Sequence, residues 1–245
     1  MQKTKKKAII IISAILAFAI IVISITLPCL FTKGLLGTAH PLNKEKDGQI
    51  RVACVGDSVT YGYGISNWTK NNYPAQLGKL LGDKYCVNNY GFSGRTAGEL
   101  GNKPYTEEKL YKQSLDFKPN IVIIMLGSND TKAANWHGKE SYINDYKKII
   151  QSYLDLESVE KVVIMAPPPV FEYKGKAPFG IDNELIKNDL NSAAKTLERE
   201  MSLSGIIDLY EMFDGKPELF SDGAHPTKEG AVMIAERVYA EIKLL

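Results

Sequence analysis

The chain has 245 residues, 44% hydrophobic and 24% charged, with 20 Gly and 11 Pro, a composition that excludes collagen-like, disordered and coiled-coil classes. Its 3 cysteines, none spaced as a zinc ribbon or a C-x-x-C redox pair, exclude a disulfide-rich scaffold. The net charge of +2 hides an asymmetry: Lys3, Lys5, Lys6, Lys7 and Lys33 and no acid lie in the first 40 residues, so the remainder is slightly acidic and lacks the basic face that nucleic acid requires.

Residues 1–7 form a basic flank, and residues 8–27 carry no charge. At 1.5 Å per helical residue this run spans roughly 30 Å, the thickness of a bilayer core. A cleavable signal peptide has an apolar region of only about 7 to 15 residues. The one passable cleavage site, Gly37-Thr38-Ala39, falls well beyond the apolar end, and Pro28 before Cys29 spoils a lipoprotein acylation box. The expectation is a transmembrane signal anchor over 8–31, with a secreted form after cleavage as the alternative. Lysines crowd the N-terminal flank, so residues 1–7 are placed in the cytoplasm and everything after Phe31 outside. Residues 32–49, rich in Gly, Pro, Asn and charge, read as a polar linker. Residues 50–245 read as one domain.

In that domain, β-branched runs predict strands over 50–55, 85–89, 121–126, 161–165 and 205–209. Helical periodicity occupies 73–81, 106–115, 139–156, 182–202 and 227–244. This alternation predicts an α/β fold with a five-stranded, mostly parallel sheet covered by helices on both faces. Ligands in such sheets collect at the carboxyl ends of the strands.

Those ends carry the chemistry. The first strand stops at Gly56-Asp57-Ser58-Val59-Thr60, the second at Tyr90-Gly91-Phe92-Ser93-Gly94, and the third at Leu126-Gly127-Ser128-Asn129-Asp130. Near the C-terminus comes Ser221-Asp222-Gly223-Ala224-His225-Pro226. Each piece alone reads equally as a cap or a turn. Together they supply the hydroxyl, imidazole, orienting carboxylate and oxyanion donors of an acyl-transfer site. His225 is the candidate base, since His40 lies in the linker and His137 lacks a carboxylate at recognisable spacing. Asp222, three residues earlier, can fix its tautomer.

Gly56-Asp57-Ser58, Gly91, Gly127-x-Asn129-Asp130 and Asp222-x-x-His225, in this order, resemble the four blocks of the SGNH or GDSL hydrolases. The resemblance implies a three-layer, flavodoxin-like fold and a serine esterase mechanism needing no metal or cofactor. It implies Ser58, Asp222 and His225 as the catalytic residues, and the backbone N–H of Ser58, the backbone N–H of Gly91 and the side-chain amide of Asn129 as the oxyanion hole. Asp57 and Asp130 take supporting roles as loop scaffolding. The runs VGDSVTYGYG, NNYGFSG and SDGAHP look most like the branch that removes acetyl groups from carbohydrates. The expected partner is therefore an acetylated carbohydrate. A lipase, lysophospholipase, thioesterase or O-acetyltransferase of the same family is the alternative, and a non-catalytic carbohydrate-binding domain a more distant one.

An α/β-hydrolase elbow would need glycine where Thr60 stands, and no phosphate-binding loop occurs. Cys54 and Cys86 read as buried free thiols, although an extracytoplasmic location would permit a disulfide. Tyr61, Tyr63, Trp68, Trp136 and His137 could stack on sugar rings or simply cover the site, and the stretch 170–180, with Phe171, Tyr173 and Phe179, is expected to face substrate.

Overall fold

The five β-branched runs pair as one sheet, and every pairing is parallel. In the computed structural model, which describes residues 12, 13, 15–24, 26, 27, 34, 35, 37 and 42–244, the strands are β1 (Ile50–Gly56), β2 (Tyr85–Gly91), β3 (Ile121–Met125), β4 (Lys161–Ala166) and β5 (Gly205–Asp208). Their order is β2-β1-β3-β4-β5, the flavodoxin-like arrangement. The principal helices are α1 (Ser58–Tyr61), α2 (Tyr73–Leu81), α3 (Lys109–Asp116), α4 (Lys139–Leu154), α5 (Asn191–Met201) and α6 (Lys228–Leu244). Gly56 pairs with Gly91 on one side and Met125 on the other, so the ends of β1, β2 and β3 share one edge.

The inner strands are buried along most of their length because helices cover the sheet on both faces. Alternate residues serve opposite cores. Ala53, Val55, Val122 and Ile124 pack with Leu110 of α3, Tyr146, Ile149 and Tyr153 of α4, and Ala193 and Leu197 of α5. Val52, Cys54, Ile123 and Met125 pack with Leu77 and Leu81 of α2 and with Ile234, Ala235 and Val238 of α6. Each fully buried large aliphatic side chain stabilises the fold by about 1.5–3 kcal/mol. Cys54 and Cys86 are buried and free. In register Cys54 sits opposite Asn89, not Cys86.

Three segments differ from expectation. The helix expected over 106–115 is split: a 3-10 turn at Tyr105–Glu107 gives way to an extended Glu108 before α3 begins. Tyr105 is anchored there, its hydroxyl donating to the Tyr90 carbonyl at 2.6 Å. The helix expected over 182–202 contains a π turn at Ile186–Leu190, whose wider coil keeps Ile186 and Leu190 on the same buried face as the later Ala193 and Leu197. The described residues of the expected linker pack against the body. Asn43 donates from its side chain to the Val87 carbonyl at 2.7 Å and from its backbone to Asn88 Oδ1 at 2.6 Å. Gln49 Nε2 donates to the Asp83 carbonyl at 2.8 Å. Residues 42–49 thus cover part of the outer edge of β2, taking up its Val87 and Tyr85 carbonyls, which an open edge would leave unpaired.

Of the expected anchor, residues 15–24 are helical and large side chains such as Phe18 and Ile20 are exposed. Among the described residues no helix is long and apolar enough to cross a membrane, and residues 8–11, 14, 25 and 28–31 of the expected anchor lie outside the described residues.

Candidate active site

Gly56 ends β1 where no side chain fits, since a Cβ would meet Thr60 Oγ1 and the Met125 carbonyl. Asp57 follows as the N-cap of α1, its Oδ1 accepting the Val59 N–H at 3.0 Å. Ser58 is the first residue of α1, so its backbone N–H has no intrahelical acceptor and is available to a ligand.

His225 arrives from the loop before α6 and completes a relay. Its Nε2 lies 2.9 Å from Ser58 Oγ, and its Nδ1 lies 2.8 Å from Asp222 Oδ2. The other carboxylate oxygen of Asp222 accepts the backbone N–H groups of His225 at 2.8 Å and Ala224 at 3.1 Å. Burial alone would raise the Asp222 carboxyl. The hydrogen bond and charge of His225, with the two backbone donors, outweigh it and hold the group below the ordinary carboxylate range. An ionised Asp222 requires Nδ1 to carry the proton, which leaves Nε2 as the acceptor facing the serine hydroxyl.

The imidazole sits among aromatic rings. Tyr63 and Phe179 have ring centroids 4.6 and 5.0 Å from it. Of the stretch expected to face substrate, Phe179 therefore reaches the site, whereas Phe171 turns toward Phe220 at 5.2 Å and Tyr173 lies beneath Lys174. Tyr61 and Trp68 are core residues, their rings 4.3 Å apart and nearly inaccessible. Trp136, half-buried, packs on Tyr142.

Asn129, at the end of β3, donates from Nδ2 to Asp57 Oδ2 at 3.2 Å and to the Arg95 carbonyl at 3.1 Å. Asp57 thus joins the serine loop to the asparagine loop. Asp130 clamps a third loop, its two oxygens accepting the Gly98 N–H at 2.7 Å and the Ala97 N–H at 3.1 Å. Burial pushes the Asp57 carboxyl up to about 6, opposed by the Val59 N–H and by the charges of His225 and Lys132. Burial likewise pushes Asp130 up to about 7 against its two backbone donors. Lys132, half-buried beside this cluster, has its ammonium lowered by burial, with Asp57 acting in the opposite sense.

One expected donor is corrected. The Gly91 N–H already donates to Asn89 Oδ1 at 2.8 Å, and a Cβ on Gly91 would collide with the backbone N of Tyr61. Gly91 therefore allows β2 to pass close under α1 and is not free to meet an oxyanion. Gly94, in the same loop, has φ +82° and open space where a Cβ would stand. Arg95, which sequence spacing did not single out, fixes this loop. Its guanidinium lies 3.5 Å over the Phe92 ring, pairs with Glu108 at 2.6 Å and donates to the Ser93 carbonyl at 2.8 Å. Its only sequence signal is its place in the glycine-rich run after β2. A separate groove of about 730 Å³ lies between residues 43–49 and α2, bordered by Lys44, Lys46, Lys70 and Lys79, and none of the three relay residues lines it.

The model of the GDSL-like lipase/acylhydrolase family matches residues 54–232. An acetylxylan esterase of Xylanibacter ruminicola is 34% identical over 216 residues, covering 81% of this chain and 44% of that protein. The chain spans about half the length of the curated relatives it matches, 44%, 58% and 59% for the first three. Among solved structures, an Agrobacterium tumefaciens protein assigned as an arylesterase superposes with a TM-score of 0.64 at 25% identity, covering 80% of this chain and 99% of that one. A carbohydrate acetylesterase of Sinorhizobium meliloti shares the fold with a TM-score of 0.65 at 22% identity, covering 80% and 99%.

Proposed function

The chain belongs to the GDSL-like lipase/acylhydrolase family, and from that premise we propose that it is a serine esterase that removes acetyl groups from a carbohydrate polymer. The observation that carries this reading is the continuous relay from Asp222 through His225 to Ser58 Oγ.

A serine hydroxyl is a weak nucleophile at neutral pH. As Oγ attacks the ester carbonyl, its proton passes to His225 Nε2, and Asp222 stabilises the imidazolium that forms. The carbonyl oxygen becomes an oxyanion met by the Ser58 N–H and the Asn129 amide. Both Asn129 hydrogens are already engaged, so the one directed at the Arg95 carbonyl is shared with or transferred to the oxyanion. We assign the remaining backbone donor to the half-buried loop turned by Gly94, in place of Gly91. Collapse of the intermediate returns the proton from Nε2 to the leaving alcohol and leaves acyl-Ser58. Water, deprotonated by the same nitrogen, then releases acetate and regenerates the hydroxyl.

The acetyl and carbohydrate parts of the reading are supported by the relative described as an acetylxylan esterase. The uncharged run over 8–27 and its flanking lysines support a single-pass anchor that leaves the catalytic domain outside the cytoplasm. Acetate release from acetylated xylan and acetylated peptidoglycan, set beside p-nitrophenyl esters of two to eight or more carbons, tests the assignment. Preference for long acyl chains would favour a lipase instead.

A further inference from the structure

The residues just after the apolar run meet the catalytic centre. Gly34 and Gly37, both at φ +62°, form a turn closed by the Gly37 N–H donating to the Gly34 carbonyl at 3.3 Å. The Gly37 carbonyl in turn accepts the Ser93 N–H at 3.1 Å. Both glycines are buried. A Cβ at Gly34 would stand 2.8 Å from Trp68 Cγ and 3.2 Å from the Gly62 carbonyl. At Gly37 it would stand 2.7 Å from both Cβ and Oγ of Ser93 and 3.9 Å from the Tyr63 ring. Only glycine permits this seating, on grounds of both backbone conformation and space. The Ser93 hydroxyl is sealed off from solvent there without a hydrogen-bond partner.

The two loops that the turn joins are the walls of the site. Tyr63 packs on the His225 ring at 4.6 Å. Ser93 holds the guanidinium of Arg95, whose carbonyl holds Asn129. The turn therefore stands one residue away from the base on one side and two from the Asn129 amide on the other.

We infer that this turn is a built part of the active-site rim, and that it keeps the catalytic mouth close to the end of the apolar run, so that the enzyme acts on acyl esters of glycans held at the membrane surface. The inference rests on the esterase and anchor readings above. Residue 27 is the last described helical residue of the apolar run, and seven chain steps from there to Gly34 reach at most about 25 Å. A linker free up to β1 would reach about 80 Å. Docking the turn removes most of that reach, and a soluble polymer far from the bilayer becomes the poorer substrate.

The test uses the full chain in phosphatidylcholine vesicles, with one acetylated sugar supplied either on a lipid within the vesicle or free in solution. Hydrogen exchange should find the Ser93 N–H protected, because it donates to the Gly37 carbonyl at 3.1 Å, and Gly37→Leu, whose side chain the seat cannot hold, should release it. A 15-residue Gly/Ser insertion after Phe31, outside the site, should leave hydrolysis of the free sugar unchanged. It should lower the preference for the lipid-borne sugar about fivefold, because effective concentration falls as the −3/2 power of tether length. Ser58-dependent hydrolysis with the Ser93 N–H exchanging freely, or an unchanged preference after insertion, would overturn the inference. Loss of Ser58 dependence on both sugars, with the Ser93 N–H still protected, would overturn the esterase reading and this one with it.

Discussion

Ser58 Oγ and His225 Nε2 lie 2.9 Å apart although 167 positions separate the two residues in the chain. The sheet order explains the meeting. Ser58 leaves the end of β1, a central strand, and the loop before α6 returns His225 to the same carboxyl edge.

Asn129 is chemically inert and yet indispensable to this account. Asn129→Ala should lower kcat by about 100- to 1000-fold, the usual effect of removing one oxyanion donor, with a smaller change in KM. Steady-state kinetics on p-nitrophenyl acetate measure it, and a loss confined to KM would assign Asn129 to ground-state binding instead.

Asp222 acts through the imidazole. Asp222→Asn places an amide where a carboxylate fixes the Nδ1 proton and should reduce kcat on the order of 10⁴-fold. The protein should remain folded, as circular dichroism would report. Activity near that of the unsubstituted protein would mean that another group orients His225.

Gly91 and Gly94 should respond in different ways. Gly91→Ala drives a Cβ into the backbone N of Tyr61 and should cost about 3 kcal/mol of stability, the upper end for overpacking. Gly94→Ala meets open space, and only its positive φ opposes it, for about 1 kcal/mol. Urea midpoints distinguish the two. Equal tolerance at both positions would contradict the close packing of β2 under α1.

Asp57 and Asp130 set a pH dependence of stability. Burial raises their carboxyls to about 6 and about 7 from the ordinary 3.8. A carboxyl with a raised folded-state pKa costs stability above that pKa, and the cost is relieved as pH falls toward the unfolded value. Unfolding free energy should therefore rise from pH 8 to pH 5 by on the order of a few kcal/mol. Asp222, whose pKa is depressed, withdraws its contribution only below this window. Asp57→Asn should flatten the slope near pH 6. Denaturant titrations across this range measure both, and stability that falls with acidification would contradict the burial of these carboxyls.

Much of this was legible in the sequence because the signals were local and periodic. Apolar, mostly β-branched runs marked β1, β3 and β4, since a strand buried on both faces has no polar alternation to confuse it, whereas β2 carries the buried Asn88 and Asn89. Ser58, Asp222 and His225 stood out because each sits beside turn chemistry at a strand end or helix start. The misreadings came from features decided by tertiary contact. Gly91 and Gly94 are equally plausible in the run NYGFSG, and only the position of the Asn89 side chain decides which amide is already engaged. The segment before β1 looked like a linker because its Gly, Pro and charged residues suit one. Its hydrogen bonds to the β2 edge depend on a surface that the local sequence does not describe. Arg95 carries no motif, and its role arises from stacking on Phe92 and pairing with Glu108.

The most direct test compares acetate release by the full chain with that of its Ser58→Ala form. The relay predicts a fall of about 10⁴-fold or more in kcat, with the fold and substrate binding retained. An unchanged rate in the Ser58→Ala protein would contradict the account at its root.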